Sequence, residues 1–476
     1  LKERVRGGDP GISLKRKVNT PLTKAIILKF SILRLVDILD RLRSTYIFVP
    51  AVMMVLAFLL GHAVTQLETE LPMSFFETIW YFFHINPGNL SGLLINFTTT
   101  ELGVMGVVFS VTLVPLTLAS SQYGTILLRA FLRDIRAQIV LGLFAASIVF
   151  DVTVLLIISR PSFTVQIPVL SAAFAIGFFF IDVSAIIFFF HHVTYGLQAS
   201  TIISRLGAEI NQAIVEENLP GSQAETAIGS LRDKEAVIAR EGIPIRSTGT
   251  GYIRLIDYQH LLQIAELYDL VVSVPAIAGD FVGPGDTLLT AWPKSPEPGF
   301  AHTVRHCFML GEYRTMLQDP EFGITQLVNI LARAADDDPS IPVMVLNQLG
   351  VALKISADRG DPFPYRQDAG GNLRMIMKIR SFDQLMIGSF DLIRFYTPNN
   401  THIITTMLNT IRSIAIHAYS DEIRRVLLHH AELIVEESVP IITSKHDREL
   451  IRQSYNAAIS AIGLPEAPLS PFPEKT

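Results

Sequence analysis

Two acidic residues sit where acids are expensive. Asp151 lies in the apolar run LGLFAASIVFDVTVLLII (141–158) and Asp182 in IPVLSAAFAIGFFFIDVSAIIFFF (167–190). A carboxylate in a lipid-solvated helix costs several kcal/mol unless it meets water, a partner or a bound proton. Passage of protons or small cations is therefore the chemistry such residues could do. The plain alternative is a pair of acids kept protonated, or hydrogen-bonded to Ser or Thr inside the bundle. At 1.5 Å per residue, Asp151 falls about 20 Å and Asp182 about 12 Å from the cytoplasmic ends of their helices, so the two are not expected to pair at one level.

A second candidate is a face rather than a residue. In GVMGVVFSVTLVPLTLASSQYGTILLRAFLRDIR (103–136), the small or hydroxylated residues Gly103, Gly106, Ser110, Thr117 and Ser121 fall within about 60° of one another on a helix. Small residues let helices approach closely; the same face would line a narrow pore at the axis of an oligomer. The run ends in a basic stretch, Arg129, Arg133 and Arg136. His191 and His192 close the last apolar run, but adjacent residues point about 100° apart on a helix, so they read as interface histidines and not as joint ligands. His429 and His430 follow the same logic. Asp336, Asp337 and Asp338 read as a solvated loop or helix cap in preference to a divalent site. The chain carries no Walker loop, HExxH, GxSxG or kinase set, and neither an enzyme nor a metal or cofactor is expected.

Composition says what must hold these residues. Of 476 residues, 49% are hydrophobic and 17% charged, too little charge to cover a wholly water-solvated protein of this size. The net charge of −5 offers no case for nucleic acid. The single cysteine, Cys307, excludes an internal disulfide framework and a cysteine-built zinc site. No cleavable signal peptide is visible.

Four runs qualify as spans: Tyr46–Val64, Leu102–Leu118, Gln138–Ile158 and Ile167–Phe190. Pro115 removes one backbone donor from the second. Lys29, Arg34, Arg41 and Arg43 precede the first span, Arg129, Arg133 and Arg136 lie between the second and third, and no Lys or Arg lies between Gln66 and Glu101. This places both termini on the cytoplasmic side of an inner, or plasma, membrane. The expected architecture is mainly α. Residues 1–45 form a basic segment with a surface amphipathic helix (Lys24–Arg43), and 46–200 a four-helix transmembrane bundle. Residues 201–247 form a helical linker. The aromatic segment Met73–Asn86 suits an interface or the outer mouth of a pore.

Between Gly249 and Pro293 the pattern reads strand (GTGYIRLID), helix (YQHLLQIAELYD), strand (LVVSVPAIAG), then a turn between strands (DFVGPGDTLLTAW). This resembles a small barrel-sandwich of the lipoyl or biotinyl type over 248–298, without the carrier lysine. Residues 299–464 read as helices, from Gly323–Ala335 to Lys445–Ile462. The tail, 465–476, is proline-rich and expected to be disordered.

The whole pattern resembles a family of predicted bacterial membrane proteins, the domain of unknown function numbered 2254. The residues that carry it are DRLRSTYIFVPAVM (40–53), GVVFSVTLVPLTLASSQYGTILLRAFLRD (106–134), FFFHHVTYGLQ (188–198), GYIRLID (251–257), PAIAGDFVGPGDTLL (275–289) and DPEFGITQLVNILARA (319–334). After Ala335 members carry a Ser-Pro-Gly-Ile-Asn-Asp-Pro type turn where this chain has DDDPSIP. The resemblance implies topology and brings no activity. The functions that fit are a homo-oligomeric ion-conducting protein with a cytoplasmic regulatory domain, and a non-conducting scaffold or sensor binding a protein partner on the cytoplasmic side. A membrane enzyme using Asp182 or the histidines on a lipid or quinone fits less well.

Overall fold

Runs free of Lys and Arg become long helices. A computed structural model describes residues 47–70, 87–123, 134–160, 168–196, 198–216, 228–293, 299–335 and 337–465. The expected surface helix at Lys24–Arg43, the segment Met73–Asn86, Arg129, Arg133, Asp336 and the tail lie outside them. The chain divides into two compact units, Leu1–Leu197 and Gln198–Thr476.

The first unit holds α1 (Phe48–Glu70), α2 (Pro87–Tyr123), α3 (Ile135–Ile158) and α4 (Val169–Gly196). All four carry a window long and apolar enough to cross a membrane. Among the described residues the apolar window of α2 is Leu90–Ser110, and the helix continues through the expected Leu102–Leu118 to Tyr123. Its 37 residues reach about 56 Å, well beyond a hydrocarbon core of about 30 Å. The most extensive contact is between α1 and α3, with α2 and α4 also packed on α3. Glycines permit the α1–α3 approach. A Cβ at Gly142 would meet Met53 Sδ at 2.6 Å and the Pro50 Cα at 3.1 Å, and one at Gly61 would meet Thr153 Cγ2 at 3.2 Å. Close small-residue packing is thus found at Gly61 and Gly142. At Gly103 and Gly106 an added Cβ meets nothing within 4 Å.

The second unit opens with α5 (Ala199–Glu216) and α6 (Ile228–Glu241), then β1 (Ile243–Arg246), β2 (Gly251–Ile256), α7 (Tyr258–Tyr268), β3 (Val271–Val274), β4 (Phe281–Val282) and β5 (Thr287–Trp292). It continues through α8 (Phe300–Arg305), β6 (Phe308–Gly311), α9 (Pro320–Ala334), α10 (Ser340–Arg359), β7 (Tyr365–Gln367) and β8 (Leu373–Met377). Four helices close it: α11 (Phe382–Tyr396), α12 (Thr401–Ala415), α13 (Asp421–Ser438) and α14 (Lys445–Ile462). The strand–helix–strand–turn–strand order of β2 to β5 follows the sequence reading.

The strands, however, form a five-stranded sheet in the order β1-β5-β3-β8-β7 and a three-stranded sheet in the order β4-β2-β6. Strand β8 pairs parallel with β3, Val272 opposite Met375, so the sheet draws in residues far beyond 298. Ile253, Leu261, Val272, Leu289, Phe300 and Met375 share its core.

The helices of the second unit carry local start signals. Asp319 caps α9 with Pro320 behind it, a Ser381–Gln384 capping box opens α11, and Asn400, Ser420 and Ser444 cap α12, α13 and α14. Helix α10 is a fifth helix apolar enough to span. Its apolar surface is covered by α5, α9, α11 and α12, as in the centre of a globular helical array.

Candidate functional site

Three helices of the first unit each bring one carboxyl group to a common place. Glu101 comes from α2, Asp151 from α3 and Asp182 from α4, at 3%, 1% and 2% exposure. Asp182 lies against Glu101 and Ser147, and Asp151 interacts electrostatically with both Asp182 and Glu101. None of their six carboxyl oxygens has a well-formed hydrogen bond. The fully buried Ser147 donates its hydroxyl proton to the Leu143 carbonyl at 3.0 Å, and so Asp182 is left facing Glu101.

This corrects the expectation that Asp151 and Asp182 sit at different depths. The fourth helix does not stop at Phe190 but runs to Gly196, and the third begins at Ile135. Measured from those ends, Asp151 is about 24 Å and Asp182 about 21 Å along its helix. Polar residues at 191–196 had looked like a helix end; they are the last turns. Glu101 was missed because the second span was drawn to begin just after it. A helix start at Pro87 places Glu101 four turns inside.

The surroundings are apolar. Toward one end Leu90, Leu94, Ala172 and Ala175 belong to a cluster with Ala57, Val64, Phe150 and Val154, packed by Phe97 and Phe178. Toward the other end lies a second cluster of Ala137, Val140, Phe144 and Phe189, joined by Val104, Met105, Val108 and Ile186. The spacing is regular. Val108, Phe144 and Phe189 each lie seven residues from the acid on their helix, all in one direction; Leu94, Ile158 and Ala175 lie seven residues away in the other. Seven residues are about two turns and return to nearly the same face, so the carboxyl cluster has an apolar layer about 10 Å to either side. Ionising all three groups here would strand three charges without partners, each at several kcal/mol. The cluster is a place for shared protons. Among the described residues, no group of three or more His, Cys, Asp or Glu side chains is placed to hold a metal ion.

A family model described as "Predicted membrane protein (DUF2254)" matches residues 43–413, which include all three acids. The chain belongs to this family. It is also similar to an uncharacterized protein of Mycobacterium bovis and to two of Mycobacterium tuberculosis. Each is 26% identical over 407 residues, covering 82% of this chain and 76% of the relative. No solved structure matches the chain.

Both ends of the bundle in this DUF2254 protein carry satisfied polar groups. At one end Glu68 of α1 accepts from the backbone N–H of Ser171 at 2.7 Å and from its hydroxyl at 2.6 Å. The acid thereby caps the first turn of α4 from a neighbouring helix. At the other end His192 Nε2 lies 2.5 Å from Asp134 Oδ2, and Arg136 Nη1 approaches His192 Nδ1 at 3.5 Å. Asp134 also accepts from the Arg136 backbone N–H at 2.9 Å, capping α3. Sequence reasoning named His192 and Arg136 but not Asp134, although an Asp immediately before an apolar run is an N-cap signal. His191 is exposed and stacks loosely on Tyr195 with ring centroids 5.7 Å apart; the two histidines diverge as expected. Gly103, Gly106, Ser110 and Thr117 are exposed, and Gly103 lines an open apolar groove of about 350 Å³ with Val104, Val107, Ile186 and Phe190.

The remaining candidates fall in the second unit and are structural. Asp338 accepts from the backbone N–H and hydroxyl of Ser340, at 2.9 and 2.6 Å, a loop tie at the start of α10. Burial pushes the Cys307 thiol up to about 12, which makes it inert at neutral pH. His430 is 1% exposed and neither ring nitrogen is hydrogen-bonded. Burial holds its pKa below the usual histidine value, against the opposing pull of Asp391 at 3.7 Å. The unfolded chain therefore takes up this proton first. The contribution is whole above about pH 6.5 and is lost as pH falls below it toward the depressed folded value. Thermal melts of the full chain should drop as the pH falls below about 6.5, and His430→Gln should flatten that limb.

Proposed function

We propose that the membrane unit moves protons across the bilayer, with Glu101, Asp151 and Asp182 as the groups that carry them. The observation supporting this is the convergence of three buried acids without hydrogen-bond partners in helices apolar enough to span a membrane. Unpartnered ionisable groups in such a setting are costly, and charge movement is their usual use. The reading places the path inside one bundle and leaves the second unit as a regulatory body on the cytoplasmic side. It makes the chain a transporter or channel of the inner membrane and not an enzyme.

The test is reconstitution of the purified chain into liposomes loaded with a pH-sensitive dye, with a potassium diffusion potential imposed in either sense. Flux above that of protein-free liposomes is expected. Its absence under both polarities overturns the proposal.

The open Gly103–Thr117 face supports a homo-oligomer in which a second copy covers it, since close approach through small residues is a common route to helix association in lipid. Gly106→Leu fills space that none of the described residues occupies within 4 Å of the added Cβ. It is expected to leave the fold of the single chain intact, within about 0.5 kcal/mol, and to shift the native mass in detergent toward the monomer. An unchanged mass distribution would remove this face from the interface.

A further inference from the structure

We infer that the carboxyl cluster exchanges its protons through the end of the bundle that carries Asp134 and His192, across the layer of Val108, Phe144 and Phe189; this rests on the proton reading above. The two layers that flank the cluster are unequal. The one toward Glu68 and Ser171 is built from all four helices, including Ala57 and Val64 of α1. It is tightened by a stacked Phe97–Phe179 pair at 4.6 Å and by Phe150 against Phe178 at 5.2 Å. Beyond it the polar groups of Glu68 and Ser171 are engaged with each other. Among the described residues, the layer toward His192 is built from side chains of α2, α3 and α4, and α1 meets α3 beside it through the close approach of Pro50 and Met53 to Gly142. Two phenylalanines, Phe144 and Phe189, supply its bulk. At its mouth stands the half-buried Asp134–His192 pair. An imidazole has two ring nitrogens through which a proton can be relayed, and with a carboxylate on one of them this end presents a group able to pass protons between water and the layer. The bulk of this layer lies in two aromatic side chains, Phe144 and Phe189, whereas the other is closed in addition by Val64 of α1 and the stacked Phe97–Phe179 pair.

The experiment uses the full chain with Cys307→Ser and one introduced thiol, Ser147→Cys, beside the acids. A membrane-impermeant cationic thiol reagent is applied to each face of reconstituted vesicles, with His191→Cys marking the His192 end. Ser147→Cys alone is expected to be protected from both sides. Adding Phe189→Ala should raise its labelling rate about tenfold or more, from the face that labels His191→Cys, because access then governs the thiol's reactivity. Phe144→Ala, or the milder Phe189→Leu if either alanine variant fails to fold, should act in the same direction. Unchanged protection in every folded variant, or labelling from the opposite face only, overturns the inference. Proton flux is measured in the same vesicles on Phe189→Ala with the native Ser147. Side-specific labelling without flux keeps the access route and sinks the proton reading; flux without side-specific labelling does the reverse.

Discussion

Asp182→Asn is expected to lower proton flux by about 100-fold or more, the scale on which a single positioned acid–base group contributes. Asparagine keeps the shape of the side chain and its contacts with Glu101 and Ser147, but can neither bind nor release a proton. The fold should hold; indeed it should gain. Asp182 is 2% exposed with both oxygens unpaired, so it is buried at a cost that a neutral amide avoids in part. A higher melting temperature together with lost flux is the signature of a residue kept for activity at the expense of stability. Glu68→Gln is the internal comparison. Glu68 is also a buried carboxylic acid of the same bundle, yet both its oxygens accept hydrogen bonds from Ser171. Its loss should weaken the start of α4 by about 1 kcal/mol and leave flux largely intact. Equal flux in Asp182→Asn and wild type would remove the carboxyl cluster from the mechanism.

The largest effect on stability is expected in the second unit, at Arg380→Ala. Asp319 is fully buried and accepts from Arg314 Nε at 2.8 Å, from Arg314 Nη2 at 3.0 Å and from Arg380 Nη2 at 3.1 Å. It also caps α9 through the Phe322 N–H. Arg380 donates further to the Ala278 and Gln318 carbonyls, so one guanidinium ties the 277–280 turn to α9 and to the entry of α11. The turn has no room to adjust. Gly279 has φ +98°, and a Cβ there would meet Asp319 Oδ2 at 2.3 Å. Removing Arg380 leaves Asp319 with part of its charge unmatched out of water, at a cost of about 3–5 kcal/mol. Arg380→Lys should recover only part of this, because an ammonium cannot serve the carboxylate and two carbonyls in the same planar fork. Denaturant unfolding followed by limited proteolysis would measure it. The double variant Arg380→Ala with Asp319→Ala should cost less than the sum of the single changes.

How far the sequence alone reaches differs between the two units. Helices α11 to α14 are legible to within one or two residues because Ser381, Asn400, Ser420 and Ser444 announce their starts and local periodicity does the rest. The four long helices are legible from apolar runs, and two of the three clustered acids from their position inside those runs. Glu101 was hidden by a boundary error of local origin. Thr98–Thr100 could extend the second run but is not apolar enough to fix where it begins; in the helix the hydroxyls return to the carbonyls of the preceding turn, Thr99 to Ile95 and Thr100 to Asn96. The depth of Asp182 was misjudged for the same reason at the other end of α4. The β3–β8 pairing was beyond reach, since residues 271–274 and 373–377 share no local signal and only the folded chain brings them side by side.

The seven-residue steps from Phe144 to Asp151 and from Asp182 to Phe189 make length, rather than residue identity, the guarded quantity in these segments. Deleting one residue between layer and acid would turn everything beyond it by about 100°, swinging a carboxyl group out of the cluster and toward lipid. A conservative swap within the same stretch would leave each acid aimed at its neighbours. Variation in this protein should therefore take the form of substitutions inside the bundle and of changed lengths outside it.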